Sequence, residues 1–319
     1  MPQPRALGRA DLPSLYLAGS RTSGRGQRAF LRVVRLRLGL ILGIAAASLF
    51  TWHLTPAGPD LAALLTVLGL AGVLVLELLL QQTRPEDAWF DGRVLAESVK
   101  KVSWRYSVGA DPFPRMSDVD DRNDAADSAN AFNASNVDEW ERRAELAFTA
   151  ELRTLLHDVT SIPEPTRPTT VTPAMAALRA APLAERREVY LRDRIEEQRV
   201  WYTTRSGQNQ RRSGRLRALM LLLELGAIAA AVLRAANLVS LDLAGLAATI
   251  LAVGAAWLGV KQYDTLARAY SFAAHDLGIV YDRLRATATE REWAAEAADA
   301  EESISREHTL WRASRSRTV

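Results

Sequence analysis

The chain has no cysteine in 319 residues, which removes disulfides, thiolate nucleophiles and cysteine metal sites together, and with them redox chemistry. Lysine is nearly as scarce: Lys100, Lys101 and Lys261 are the only three among 40 basic residues. That bias toward arginine reads as the coding habit of a GC-rich bacterial or archaeal genome, not as nucleic-acid contact. The four histidines, His53, His157, His275 and His308, include no pair at metal-ligand spacing, so neither a metal nor another cofactor is expected. No nucleophile elbow, glycine-rich phosphate loop or triad arrangement is present, and Gly19, Gly24 and Gly26 lie in a basic leader with no strand before it. Enzyme chemistry therefore has no candidate residues.

What the chain does contain is concealed by its averages. A mean hydropathy of −0.07 with 24% charged residues describes an ordinary soluble protein, yet the apolar residues are concentrated in four runs, at 38–54, 61–80, 216–233 and 243–260. At about 1.5 Å per residue each covers close to one hydrocarbon core. They form two hairpins about 180 residues apart, so the sequence reads as a duplicated four-span membrane protein. A cleaved signal peptide fits the first run poorly, because its basic leader is long and its apolar character continues through Leu49, Phe50, Trp52 and Leu54.

Arginines set the expected orientation. Arg5, Arg9, Arg21, Arg25, Arg28, Arg32, Arg35 and Arg37 precede the first run, Arg199, Arg205, Arg211, Arg212 and Arg215 approach the third, and Lys261 and Arg268 follow the fourth. The first linker, 55–60, holds no Lys or Arg, and Arg234 alone lies in the second. Both termini and the long middle segment are therefore expected in the cytoplasm of a bacterial inner-membrane protein.

Small residues recur at helical spacing in the spans: Ala244, Ala248, Ala252 and Ala256 in the fourth, and Gly39, Gly43 and Ala47 in the first. This spacing forms a groove for a helix, in the same hairpin or in another protomer, and it admits composition alone as the alternative. Glu77 and Glu224 lie inside spans, where a carboxylate costs several kcal/mol unless it meets water or a partner. Both are candidate pore-lining residues; the alternatives are that Glu77 reaches the interface and that Glu224 bonds a neighbouring helix.

Outside the spans the chain reads as all-α. Tyr263, Ala267, Tyr270, Ala274, Leu277, Tyr281, Leu284 and Ala288 repeat at 4-3 spacing, which predicts a helix continuing from the fourth span into a coiled-coil seam. Leu191, Ile195 and Tyr202 line one face of a charged helix expected to run unbroken into the third span and to pack on that seam. An amphipathic helix is expected near 137–159. The prolines Pro163, Pro165 and Pro168 favour an extended connector, and the first residues, to about Arg25, are expected to be disordered apart from a turn at 11–13.

Two sets of motifs carry a family resemblance. Trp89-x3-Arg93-x2-Ala96-Glu97-Ser98-x-Lys100-x3-Trp104-Arg105-Tyr106, followed by Asp111-Pro112-Phe113, resembles one subfamily of the SLATT domains, two-span effector domains associated with nucleotide second-messenger systems in bacteria. Thr172, Met175 and Arg179, then Tyr190-Leu191-x2-Arg194-Ile195-x2-Gln198-x2-Trp201-Tyr202, then Tyr270, Leu277 and Glu301-x2-Ile304-Ser305-x-Glu307-His308-x2-Trp311, resemble another. The organisation that follows is a disordered leader at 1–27, a first two-span domain at 28–160, a proline-rich linker at 161–173, a second two-span domain at 174–313 and a tail at 314–319.

The resemblance implies an oligomeric membrane effector that perforates or depolarises the inner membrane in anti-phage defence, on a signal from a nucleotide second messenger or a neighbouring-gene sensor protein. The lipid bilayer and further copies of the chain are the expected partners, and nucleic acid is not. A non-conducting scaffold recruiting a cytoplasmic protein is the alternative; transport is disfavoured because the spans lack Gly/Pro-broken midplane helices. Trp89, Trp104, Tyr106, Trp201 and Tyr202 read as interhelical packing. Arg93, Lys100, Lys101 and Arg105 are a candidate anion patch for a signalling nucleotide. Tyr263, Tyr270, Leu277, Tyr281 and Leu284 are expected in helix packing.

Overall fold

The computed structural model describes residues 7–51, 53, 60–115, 134–157, 159 and 170–315. All the elements it contains are helical: a 3-10 turn (Arg9–Asp11), α1 (Ser14–Ala47), α2 (Leu61–Thr83), α3 (Pro85–Val108), α4 (Ala134–His157), α5 (Pro173–Ala180), α6 (Leu183–Tyr190), a π-helical turn (Leu191–Glu196), α7 (Glu197–Ala235), α8 (Leu243–Lys261), α9 (Tyr263–Ala286) and α10 (Glu290–Arg315). They form two compact units. Unit 1 comprises Met1–Arg25, Asp87–Thr204 and Ala269–Val319, and unit 2 comprises Gly26–Glu86 and Arg205–Arg268. Residues 116–133 and most of the proline-rich connector lie outside the described residues.

Unit 2 holds the apolar runs. Among the described residues three helices are long and apolar enough to cross a membrane, those containing the second, third and fourth runs. The first run is not among them. Its helix stops at Ala47, where Leu49 and Phe50 turn back onto the carbonyls of Ala46 and Ala47. Residues 38–47 cover about 15 Å, half a hydrocarbon core, and the preceding turns carry Arg32, Arg35 and Arg37. The outer faces of the second and third runs are leucine-rich and exposed, with Leu68, Leu74, Leu222 and Ile228 each at least 60% accessible, as lipid-facing residues are, while that of the fourth is rich in alanine.

The two hairpins repeat local devices that composition does not display. Each second span starts on an aspartate: Asp60 accepts from the Ala62 amide at 2.9 Å and Asp242 from the Gly245 amide at 3.1 Å, which satisfies donors the helix leaves free. Each also ends on a residue in the left-handed region, Arg84 (φ 37°) and Gln262 (φ 49°), whose amide returns to Leu80 and Leu258. The seam helix thus does not continue directly from the fourth span; one left-handed residue separates α8 from α9. Within each hairpin an arginine on the first helix meets an acid beyond it, Arg37 with Glu77 at 2.5 Å and Arg217 with Asp264.

Unit 1 is a helical bundle with an aromatic core. Trp104 of α3 meets Tyr190 at 5.6 Å, Tyr190 meets Trp293 of α10 at 5.7 Å, and Tyr106, Phe113 and Phe148 form a second cluster, in the offset and edge-on arrangements aromatic rings favour. The seam is buried inside the chain at Ala267 of unit 2 and, in unit 1, at Tyr270, Leu277 and Leu284, while Tyr281 is half-buried. Val280 is buried in place of Tyr281's full burial, and Ala288 lies past the end of α9 and is exposed, because a straight helix of 3.6 residues per turn drifts off a strict heptad. Tyr263 is half-buried at the start of α9 in unit 2.

The leader expected to be disordered is ordered from Leu7. Leu12, Tyr16 and Ala18 are buried, and the Thr172 hydroxyl donates to the Asp11 carbonyl at 2.6 Å. Its composition misled because glycine lowers helix propensity, whereas here Gly19 permits contact. A Cβ on Gly19 would lie 3.0 Å from the Ala96 amide nitrogen and the Gly92 carbonyl oxygen, and one on Gly92 would lie 2.5 Å from the Ser23 nitrogen. Helices α1 and α3 cross there backbone against backbone. Gly92→Ala should lower the heat-unfolding midpoint in detergent by an amount equivalent to about 1–3 kcal/mol. Gly214→Ala, where a Cβ meets nothing within 4 Å, should leave it level or raise it slightly.

Candidate functional site

The candidate pore residues occupy different surroundings. Glu77 of α2 is held by Arg37 of α1 at 2.5 Å and is about one-third exposed, an internal tether at the end of its span. Glu224 of α7 is exposed, one turn from exposed Leu221 and Ile228 and beside Leu225. The alanine stripe of α8 also faces outward: Ala248, Ala252 and Ala256 are exposed and Ala244 is half-buried. Packing within the hairpin uses other small residues instead. Ala247 is buried, and Gly254 faces the Met220 side chain at 3.5 Å. On α2, Gly69 and Gly72 receive Ile44 and Leu40 of α1, so the small residues that accept α1 lie on its neighbour and not at Gly39 or Gly43.

The candidate anion patch on α3 is already engaged. Lys101 pairs with Glu302 of α10 at 2.6 Å, Arg105 approaches the same carboxylate at 3.8 Å and donates to the Ala298 carbonyl at 2.8 Å. Both side chains fasten α10 along α3. Arg93 is half-buried on the same helix. Lys100 differs. It is largely enclosed, and burial together with the positive charge of Arg194 pushes its ammonium down to about 8, against the opposing pull of Glu97, Glu301 and Glu197.

The start and the end of the second set of motifs meet at an ion pair that spacing could not assemble. Glu301 of α10 is fully buried and accepts two hydrogen bonds from Arg194, at 2.8 and 2.7 Å, and a third from the Tyr190 hydroxyl at 3.0 Å. Burial opposes the charge on Arg194, but Glu301 more than offsets it and holds the guanidinium above its ordinary value. Burial, then the Glu301 charge, pushes the Tyr190 phenol well up, so it stays a donor. Arg194 lies in the π-helical turn, a register change that long helices commonly concentrate at functional positions.

Two further buried arginines hold the segment after α3. Arg179 donates to the Tyr106 and Phe113 carbonyls at 2.8 and 2.9 Å, pairs with Glu141 at 2.5 Å and sits 4.7 Å over the Tyr106 ring. Arg186 donates to the Val108 and Ala181 carbonyls and pairs with Glu290. Trp293 donates to the Val108 carbonyl at 2.8 Å. Gly109, at φ 72°, makes the turn that exposes that carbonyl; a Cβ on it would lie 2.7 Å from Arg186. Sequence reading placed Arg179, Arg194 and Glu301 in motifs without a role and missed Arg186. Their signal was arginine amid residues that proved to be core, as in Leu191-x2-Arg194-Ile195.

The remaining motif residues pack between helices as expected: Trp89, Trp104, Tyr106 and Tyr202 are buried, and Trp201 lies 5.2 Å from Tyr270. Among the described residues no group of His, Asp and Glu could hold a metal ion; the side chain of His308 lies outside them.

Glu301→Ala should destabilise the bundle by about 3–5 kcal/mol, because it strands a buried guanidinium, whereas Arg194→Met with Glu301→Leu should cost far less. Chemical unfolding of the detergent-solubilised protein measures both. Lys100 gives a pH signature. Its folded value lies below the ordinary 10.5, so the folded state holds fewer protons between about pH 8 and 10.5 and its stability rises with pH across that window. Lys100→Met should therefore raise the unfolding midpoint at pH 7, with the advantage shrinking toward pH 10.5; an equal gain at both ends would assign the effect to packing.

Comparison with known families divides the chain in two. Residues 13–187 match the SMODS and SLOG-associating 2TM effector domain 3, and residues 190–311 match the SMODS and SLOG-associating 2TM effector domain 1. Neither the curated proteins nor the solved structures gave a match. The ranges meet beside Tyr190, whose ring lies against Trp104 of the first range, while Tyr190, Arg194 and Glu301 all fall in the second. The chain belongs to the SMODS and SLOG-associating two-transmembrane effector family and carries two different domains of it in tandem.

Proposed function

We propose that the protein is a membrane effector that assembles into a gated, cation-favouring pore in the bacterial inner membrane, with four spans, the first completed by the residues that follow Ala47, and both termini in the cytoplasm, and that it acts in defence against phage. The observation that carries this reading is Glu224, a carboxylate exposed inside an apolar span among exposed leucines. Hydrocarbon does not solvate such a group, so it calls for water or a neighbouring copy of the chain. Glu77 is tethered to Arg37 and would join a water path only when that pair opens. The pairing of Arg234 with Asp242 supports the orientation, since it neutralises the one arginine of the second linker.

Gating follows from chain continuity. Helices α1, α3, α7 and α9 each contribute residues to both compact units, so a signal received by the unit 1 bundle would be carried by the same helices that lead into the spans. A nucleotide second messenger or a neighbouring-gene sensor protein would supply that signal. The test is membrane potential and dye entry in bacteria expressing the protein with and without its neighbouring genes. Depolarisation that depends on those genes, and that falls several-fold with Glu224→Gln and less with Glu77→Gln, is expected. Unchanged potential with the protein confirmed in the membrane would favour a scaffold that recruits a cytoplasmic partner.

A further inference from the structure

Unit 2 contains an apolar groove of about 510 Å³ between α1 and α2. Along α1 its wall runs from Arg35 through Gly39 and Gly43 to Ala47, and Leu65 and Gly69 of α2 form the other side. Gly39 and Gly43 are exposed, and a Cβ on either would meet nothing within 4 Å. One end is cationic and aromatic. The Arg35 guanidinium lies 5.7 Å from the centre of the Trp257 ring, and the Lys261 ammonium lies 5.0 Å from the same ring. Arg35 lines the groove, and Trp257 and Lys261 set an indole and a second cation beside it, at the level where tryptophan and basic residues flank a span.

We propose that this groove binds one anionic phospholipid, its phosphate at the Arg35, Trp257 and Lys261 end and an acyl chain along Gly39, Gly43 and Ala47. The walls choose the occupant's body: apart from Arg35 the lining is leucine, isoleucine, alanine and glycine, and from Arg35 to Ala47 the helix rises about 18 Å, an apolar strip on which an acyl chain can lie. Charge chooses the headgroup: basic pockets between spans recognise anionic lipid. The proposal requires only that unit 2 lies in a bilayer, and it stands whether or not the protein conducts ions.

Native mass spectrometry of the full chain in detergent, titrated with phosphatidylglycerol or phosphatidylcholine, tests it. The expected result is a one-lipid adduct with phosphatidylglycerol, about fivefold weaker in Arg35→Gln and lost in Gly43→Leu, whose side chain enters the groove from a position with no neighbour. Equal adducts with phosphatidylcholine, or an adduct untouched by Gly43→Leu, would overturn it. So would displacement of the lipid by millimolar inorganic phosphate, or a dimer peak that Gly43→Leu abolishes while the lipid adduct persists. If either variant fails to fold, a phosphatidylglycerol with a photoreactive acyl chain reads the wild-type protein directly. Labelling within 36–47 supports the site, and labelling spread evenly over the spans defeats it.

Discussion

Glu301 receives two hydrogen bonds from Arg194 and one from Tyr190 within a bundle that excludes water. A lone carboxylate there would cost several kcal/mol, and so would a lone guanidinium; each makes the other tolerable only at one relative position of their helices. The pair thus fixes the register of α10 against the π-helical turn. Once α10 is placed, Trp293 reaches the Val108 carbonyl, Arg105 reaches the Ala298 carbonyl, Lys101 reaches Glu302 and Arg186 reaches Glu290. Its net contribution to stability is small beside the penalty of breaking it, since well-packed apolar residues would fill the same space at little cost.

The duplication visible as two apolar hairpins extends to their ends. An aspartate cap, a left-handed exit residue and an arginine-to-acid tether occur in both hairpins, although the residues that supply them differ: Glu77 lies before the exit residue of its hairpin and Asp264 after that of the other. The same physical requirements at a helix end and at a membrane interface are met twice, with the tether's acid at a different place in each. That agrees with two domains of one family that belong to different subfamilies.

Much was legible because hydrocarbon admits few structures. Long apolar runs must be helical there, and 4-3 periodicity beyond them must bury one helix face, so three of the expected spans, the helix at Ala134–His157 and the buried positions Tyr270, Leu277 and Leu284 were all readable. Errors arose where local preference and tertiary contact disagree. The glycines and arginines of the leader read as disorder, yet Gly19 is what lets α1 meet α3. Lys101 and Arg105 read as an open anion patch because their partner, Glu302, lies about two hundred residues away. The alanine stripe of α8, read as a groove for a helix of the same hairpin or of another protomer, faces outward, and the contact within the hairpin uses Ala247 and Gly254.

The sequence by itself determined the all-α class, the duplication, the membrane character and the family, because each follows from residue order: run length, periodicity and motif spacing are one-dimensional quantities. Only the tertiary structure decided which charges are buried and with whom. Pairing depends on distance between helices that are remote in the chain, and an arginine destined for Glu301 is indistinguishable in sequence from one destined for solvent. Desolvation separates them: inside the bundle a charge persists only where a partner completes its hydrogen bonds, and that condition exists only after the helices have assembled.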